Sequence, residues 1–275
     1  PAPPRPVAAV GRFEILDFGF EILDLFRFQI SDLVSRIPNP ESRISYLEFV
    51  DSTSTRSMTL KGTNAMAVSE QLKALVAQMP DPDGRGMYTE NIDKEKIEKA
   101  IAAIHQGGRN NVRGLVEMLG EPGSDQDVKP HYALHCLANH TLIVKDENGR
   151  RALCEVLCEA LSGNSTPYVK SFLCQTLQWA GRRESAAALG KLLTDEQLCD
   201  PAATALVAIR DGAGEPLRSA LPNAKGRCRL TILHSLAALA DAGAAESFKQ
   251  ALQDDDREVR IAAGAGLAKL GDAGA

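Results

Sequence analysis

The chain has 275 residues, of which 44% are hydrophobic and 24% are charged, with a formal net charge of −5. This length and composition are typical of one or two globular domains, and the lack of an apolar run of 18 residues disfavours a membrane-spanning protein. The acidic balance, without any run of five or six basic residues, disfavours nucleic acid as a partner.

The first 65 residues carry a seven-residue sequence period. "RFEILDF" at 12–18 is followed at once by "GFEILDL" at 19–25, and weaker copies come later. The apolar residues do not settle into the a and d positions of a coiled coil, and Pro38 and Pro40 interrupt the pattern. We therefore expect residues 1–65 to be a disordered leader, or translated sequence upstream of a true start at Met66.

Residues 66–90 predict a short helix followed by a linker. The helix pattern is "MAVSEQLKALVAQM", which begins at Met66 and places Ser69 where a helix N-cap is expected. The following "PDPDGRG" at 80–86 has the Pro, Asp and Gly content of a linker.

Residues 91–275 contain short helical patterns that recur about every thirty residues. Equivalent leucines, separated by 40, 29, 30 and 31 residues, are Leu137, Leu177, Leu206, Leu236 and Leu267. Positions −8, −4 and +3 from each of these anchor leucines share one helix face and are mostly apolar, and a second amphipathic segment precedes each helix. Because neither helix of such a hairpin can bury its stripe alone, we expect the hairpins to stack on one another.

The last hairpin contains an unusual run of small residues, "DDDREVRIAAGAGLAKLGD" at 254–272. We expect one of the three aspartates to cap the second helix of this hairpin. We expect Gly264 and Gly266 to let neighbouring helices approach closely. Each glycine weakens an isolated helix by about 1 kcal/mol, which packing must offset.

Residues 110–275 resemble the HEAT-like repeats of phycobilisome lyases and many scaffold proteins, within the armadillo-like helical family. The resemblance is carried by "DDREVRIAAGAGLAKLGD", "TPYVKSFLCQTLQWAG" and "LADAGAAESFKQAL". It implies an all-α fold, a right-handed α-solenoid of about five stacked helical hairpins (an armadillo/HEAT-like superhelix). The final "LGDAGA" matches "LADAGA" at 239–244, so we expect the array to stop at a repeat junction.

Cysteine and histidine patterns do not predict a metal, cofactor or catalytic site. Cys154 and Cys158 would share a helix face as two metal ligands or as two small apolar fillers. His131 and His135 are four residues apart, but no histidine is followed by the glutamate of an H-E-x-x-H motif. We expect His105, at a helix end, to meet free carbonyls. No G-x-S-x-G, P-loop or G-x-G-x-x-G motif occurs, so no enzyme is predicted.

A candidate binding surface lies opposite the packed stripe, on the helix face that usually lines the concave side of such arrays. Trp179, the only tryptophan, falls there, and exposed tryptophans are common anchors of binding surfaces. The alternative is that Trp179 packs against a neighbouring hairpin. The candidate partner-binding residues are Trp179, Gln175, Gln178, His135, Asn139 and His131.

The sequence therefore predicts a cytoplasmic, non-catalytic scaffold or adaptor that binds a protein or peptide on its concave face, as a monomer or within a larger complex. Arg182 and Arg183, at the end of the tryptophan-bearing helix, offer salt bridges to an acidic peptide or complement the helix dipole. The alternative is a HEAT-like enzyme or enzyme subunit of the chromophore-lyase type, since lyases built from this repeat attach bilins to other proteins.

Overall fold

The computed structural model describes residues 68–82, 92–122, 124 and 128–271, and these residues are helical with no strand among them. This confirms the all-α prediction. Nearly all of them belong to one compact unit, Val68–Asp81 with Glu95–Ala275. The leader predicted for residues 1–65 and most of the predicted linker lie outside the described residues. No described helix has both the length and the apolarity to cross a bilayer.

The described part contains twelve α-helices, numbered here in chain order: α1 Glu70–Val76, α2 Lys94–Gln106, α3 Gly108–Glu117, α4 Lys129–Ile143, α5 Glu147–Leu161, α6 Pro167–Ala180, α7 Ala186–Gly190, α8 Cys199–Ile209, α9 Gly214–Ala220, α10 Gly226–Leu239, α11 Ala245–Ala251 and α12 Arg257–Leu270. Short 3₁₀ turns at Arg183–Ser185, Leu221–Asn223 and Ala242–Ala244 precede α7, follow α9 and precede α11.

Several helices begin at residues whose side chains satisfy free backbone N–H groups. Ser69 Oγ accepts a hydrogen bond from Leu72 N at 3.1 Å, which confirms the predicted cap of α1. Asp256 Oδ1 accepts from Glu258 N at 2.8 Å, which confirms that an aspartate caps α12. The caps leave fewer unsatisfied donors at the ends of these amphipathic helices.

The helices pack as two interlocking sets. The second helix of each hairpin contacts the second helix of the next hairpin, in the order α4, α6, α8, α10 and α12. Each of these helices also contacts the first helix of its own hairpin, which is α3, α5, α7, α9 or α11 respectively. All five anchor leucines are at most 1% exposed. The sequence analysis assigned the helix that is now α1 to a segment separate from residues 91–275. In the structure, α1 packs on α3 and α4 within the same compact unit.

The two glycines of α12 have different surroundings. A methyl group on Gly266 would lie 2.4 Å from Cε1 of the fully buried Phe248 on α11, so the Phe248 ring occupies the space that a side chain at position 266 would need. Gly266 therefore makes room for a buried aromatic ring, whereas the expectation was a close approach of the helices themselves. The expectation is wrong for Gly264, where a methyl group would lie 3.9 Å from its nearest neighbour, Leu252 Cδ2.

We expect Gly266→Ala to lower the free energy of unfolding by about 1–3 kcal/mol, because Phe248 has no room to move away from the new methyl group. Gly264→Ala, two residues earlier in the same helix, should instead raise stability by up to about 1 kcal/mol through helix propensity. Urea unfolding of both variants measures this. Equal effects of the two substitutions would contradict the packing described here.

Candidate functional site

The candidate site is built on α4 and α6, which pack against each other. The first turn of α4 places the His131 ring 4.5 Å from the Phe172 ring and 5.7 Å from the Tyr168 ring, both near the start of α6. The later turns of the two helices carry the other candidate residues, His135 and Asn139 on α4 and Gln175, Gln178 and Trp179 on α6.

His131 does not lie on an exposed face, contrary to the expectation from its position in the repeat. Its ring is buried under the two α6 aromatic side chains, so it supports the site from beneath. The repeat pattern put His131 on the same helix face as His135 and Asn139. It could not show that Tyr168 and Phe172 on the next helix cover this position.

His135 and Asn139 form a polar pair one turn apart on α4. The Asn139 amide Nδ2 lies 3.0 Å from His135 Nε2, which accepts its hydrogen bond when the ring is neutral. Burial lowers the pKa of His135 to about 4. The pair is therefore uncharged at neutral pH.

Trp179 remains 40% exposed at the end of α6. Gln175 and Gln178 beside it are half-buried, and Gln175 Oε1 accepts no hydrogen bond from the described residues. We group these three residues with His135 and Asn139 and term the set the α4–α6 face, because its members are uncharged side chains on two helices that pack against each other.

The ends of α4, α6 and α8 form a neighbouring surface, which we term the C-terminal edge (residues 143–151, 179–184 and 207–211). Gly181 packs on Ile209 and Arg183 lies 3.6 Å from Asp211, which joins the ends of α6 and α8. Ile143 and Val144 are nearly half exposed on this edge. Trp179 thus belongs to both the α4–α6 face and the C-terminal edge.

Arg150 holds the C-terminal edge together from inside. Its guanidinium is 2% exposed and donates to the Ala180 carbonyl at 2.7 Å, while its ion pairs with Glu147 and Glu184 measure 2.5 and 2.7 Å. The hydrogen bond with Glu147 raises the pKa of Arg150 above its usual range and lowers that of Glu147. The sequence analysis missed this residue, although Arg150 stands three residues before Leu153 on the apolar stripe of α5, a position where only a paired charge is tolerated.

A second cluster joins α2, α4 and α5. His105 Nε2 lies 2.9 Å from Asp146 Oδ2, so its ring meets a carboxylate and not the free carbonyls that were expected. His140 meets the His105 ring edge-on at 5.2 Å, and burial, with the His105 charge, lowers the pKa of His140. The adjoining cavity of about 20 Å³ has room for about one water and not for a substrate.

The cysteines behave as small apolar fillers. Burial raises the pKa values of Cys136, Cys154, Cys174 and Cys199 to about 12, so these thiols stay protonated and are poor nucleophiles and ligands. Within the described ranges, no three His, Cys, Asp or Glu side chains are grouped so as to hold a metal ion.

The chain matches no known protein family, and no curated protein matches it. The resemblance to HEAT-like repeats therefore remains a prediction from the sequence. Function has to be argued from the geometry of the α4–α6 face and the C-terminal edge.

We expect Arg150→Met to lower the free energy of unfolding by about 2–3 kcal/mol, because the Ala180 carbonyl loses its charged donor and both ion pairs are lost. Methionine keeps the aliphatic packing. Arg151→Met, at the exposed neighbouring position, is the matched control and should stay within about 0.5 kcal/mol of the parent chain. Similar losses of unfolding free energy in the two variants would show that the buried ion-pair network of Arg150 does not stabilise the fold.

The lowered pKa of His135 predicts acid sensitivity. Below pH 6.5 the unfolded chain protonates this histidine while the folded chain does so only near pH 4, so stability falls through that window by about 2–3 kcal/mol. His135→Gln should flatten the fall, as judged by urea unfolding at a series of pH values. The exposed His234→Gln is the control and should leave the fall unchanged. An unaltered fall in His135→Gln would contradict the prediction.

Proposed function

We propose that this chain is a non-catalytic scaffold or adaptor, a right-handed α-solenoid of about five HEAT-like hairpins that binds a protein or peptide segment across the α4–α6 face. The ordered contacts between successive second helices support the solenoid, because each hairpin covers the stripe of its neighbour. The repeat of about thirty residues supports it independently.

The exposure of Trp179 carries the binding proposal. A tryptophan that leaves 40% of its surface in water has a strong tendency to be covered by a partner, and tryptophan is enriched among residues that dominate binding energy. The surrounding amides and the neutral imidazole offer hydrogen bonds without the desolvation cost of a charge. The face is therefore suited to a partner that combines an apolar side chain with backbone or amide groups.

We expect Trp179→Ala to weaken partner binding by tenfold or more, since truncating such an anchor costs about 2 kcal/mol or more. Proteins captured by the tagged full chain are identified by mass spectrometry, and the affinity of a purified captured partner is then measured for each variant. Ile261→Ala, which removes a 51% exposed side chain from α12, is the control and should keep full affinity.

Stability separates a binding effect from a folding effect in this experiment. Because Trp179 is partly exposed, its loss should change urea unfolding little. As the only tryptophan, it also reports binding directly through a blue shift of its fluorescence. Partners that bind Trp179→Ala as tightly as the parent chain would contradict the proposed site, and a visible absorbance band from the purified chain would favour the chromophore-lyase alternative.

A further inference from the structure

The C-terminal edge is positively charged in a chain that is negative overall. Six basic and four acidic residues lie in its three segments, against a net charge of −5 for the whole chain. The edge therefore differs in sign from the rest of the molecule, and a local excess of charge attracts partners of opposite charge.

Each of the four acids of this edge already has a hydrogen-bond or ion-pair partner. Asp146 meets His105, Glu147 and Glu184 both meet the buried Arg150, and Asp211 meets Arg183. These contacts engage the acids, although the charges of Arg151 and Arg182 also help to lower the pKa of Glu147.

The remaining four cations have no carboxylate within ion-pair distance in the described part of the chain. They are Lys145, Arg151, Arg182 and Arg210, all exposed. Arg182 donates hydrogen bonds to the carbonyls of Trp179 at 3.4 Å and Gly181 at 3.0 Å, which fix its position. A cation without a direct ion pair therefore borders Trp179.

The backbone at two of these cations is in a conformation that favours glycine. Lys145 has φ of 55° and Arg210 has φ of 62°, and Ala240 is the only other non-glycine residue with positive φ in the described ranges. Side chains are disfavoured there, yet both positions carry an exposed positive charge. At Lys145 this conformation ends α4 as a helix cap, because Asp146 N donates to the Thr141 carbonyl at 3.1 Å, and it turns the lysine into the edge.

We propose that the partner of the α4–α6 face is an acidic peptide segment carrying apolar side chains. Its carboxylates would pair with Lys145, Arg151, Arg182 and Arg210 while its apolar side chains cover Ile143, Val144 and Trp179. This inference rests on the proposed docking function and specifies the chemistry of the partner.

A nucleic acid fits this edge less well than an acidic peptide does. A phosphate backbone carries closely spaced negative charge and no apolar side chains, whereas this edge interleaves its cations with four acids and three exposed apolar residues. An acidic and apolar peptide has groups for both kinds of surface.

Selection from a random peptide library displayed against the full chain tests this inference. We expect enriched peptides to combine Asp or Glu with Leu, Phe or other large apolar residues. Their binding should weaken about tenfold in Trp179→Ala, and should weaken as salt is raised from about 0.05 M to about 0.5 M.

The charge contribution is measured with an Arg151→Gln, Arg210→Gly double variant, in which glycine suits the positive φ and keeps the fold. We expect about tenfold weaker binding of the selected peptides and a smaller salt dependence. Ala240→Gly is the matched control, because it relieves the same kind of backbone conformation without removing a cation. It should bind as the parent chain does.

The outcomes distinguish the two proposals. Enrichment of neutral or basic peptides that still need Trp179 would overturn the acidic partner and leave the docking surface standing. No enrichment, or binding indifferent to Trp179→Ala, would overturn both. A single-stranded oligonucleotide that displaces the selected peptides at equal concentration would assign the edge to nucleic acid and overturn the peptide partner.

Discussion

Mutual covering of apolar helix stripes is the constraint on which the rest of this structure depends. Each second helix places its anchor leucine in a fully buried position, and burying a leucine contributes about 1.5–3 kcal/mol. This gain requires a neighbour on each side, since no hairpin can cover its own stripe. Because the stripes all turn inward, the opposite faces of the same helices are left for polar side chains and for Trp179.

The buried guanidinium of Arg150 links this packing to the charge of the surface. It forms ion pairs with both Glu147 and Glu184, and it fixes the end of α6 by donating a hydrogen bond to the Ala180 carbonyl. Arg151 and Arg182 have no carboxylate within ion-pair distance in the described residues, although the charges of both help to lower the pKa of Glu147. One interior ion-pair network thus ties the C-terminal edge together, and the edge keeps a net positive charge.

The sequence predicted those features that depend on local or periodic rules. The all-helical fold, the buried anchor leucines and the caps at Ser69 and Asp256 follow from helix periodicity and from residues a few positions apart. Features that join distant segments were not predicted. His105 and Asp146 are 41 residues apart in sequence, and the burial of His131 depends on the sizes of two α6 side chains. Arg150 left a signal, a charge on an apolar stripe, but its partners could only be found in three dimensions.

The cations at positive φ are not explained by helix stability alone. A left-handed backbone conformation costs a non-glycine residue about 1–2 kcal/mol, whereas a cation at a helix C-terminus gains about 0.3–1 kcal/mol from the helix dipole. Lys145 and Arg210 therefore lose more than they gain in the isolated chain. Glycine at either position would make the folded chain more stable. A glycine with positive φ does occupy the corresponding position after α12, at Gly271. The partner carboxylates proposed above would offset the difference.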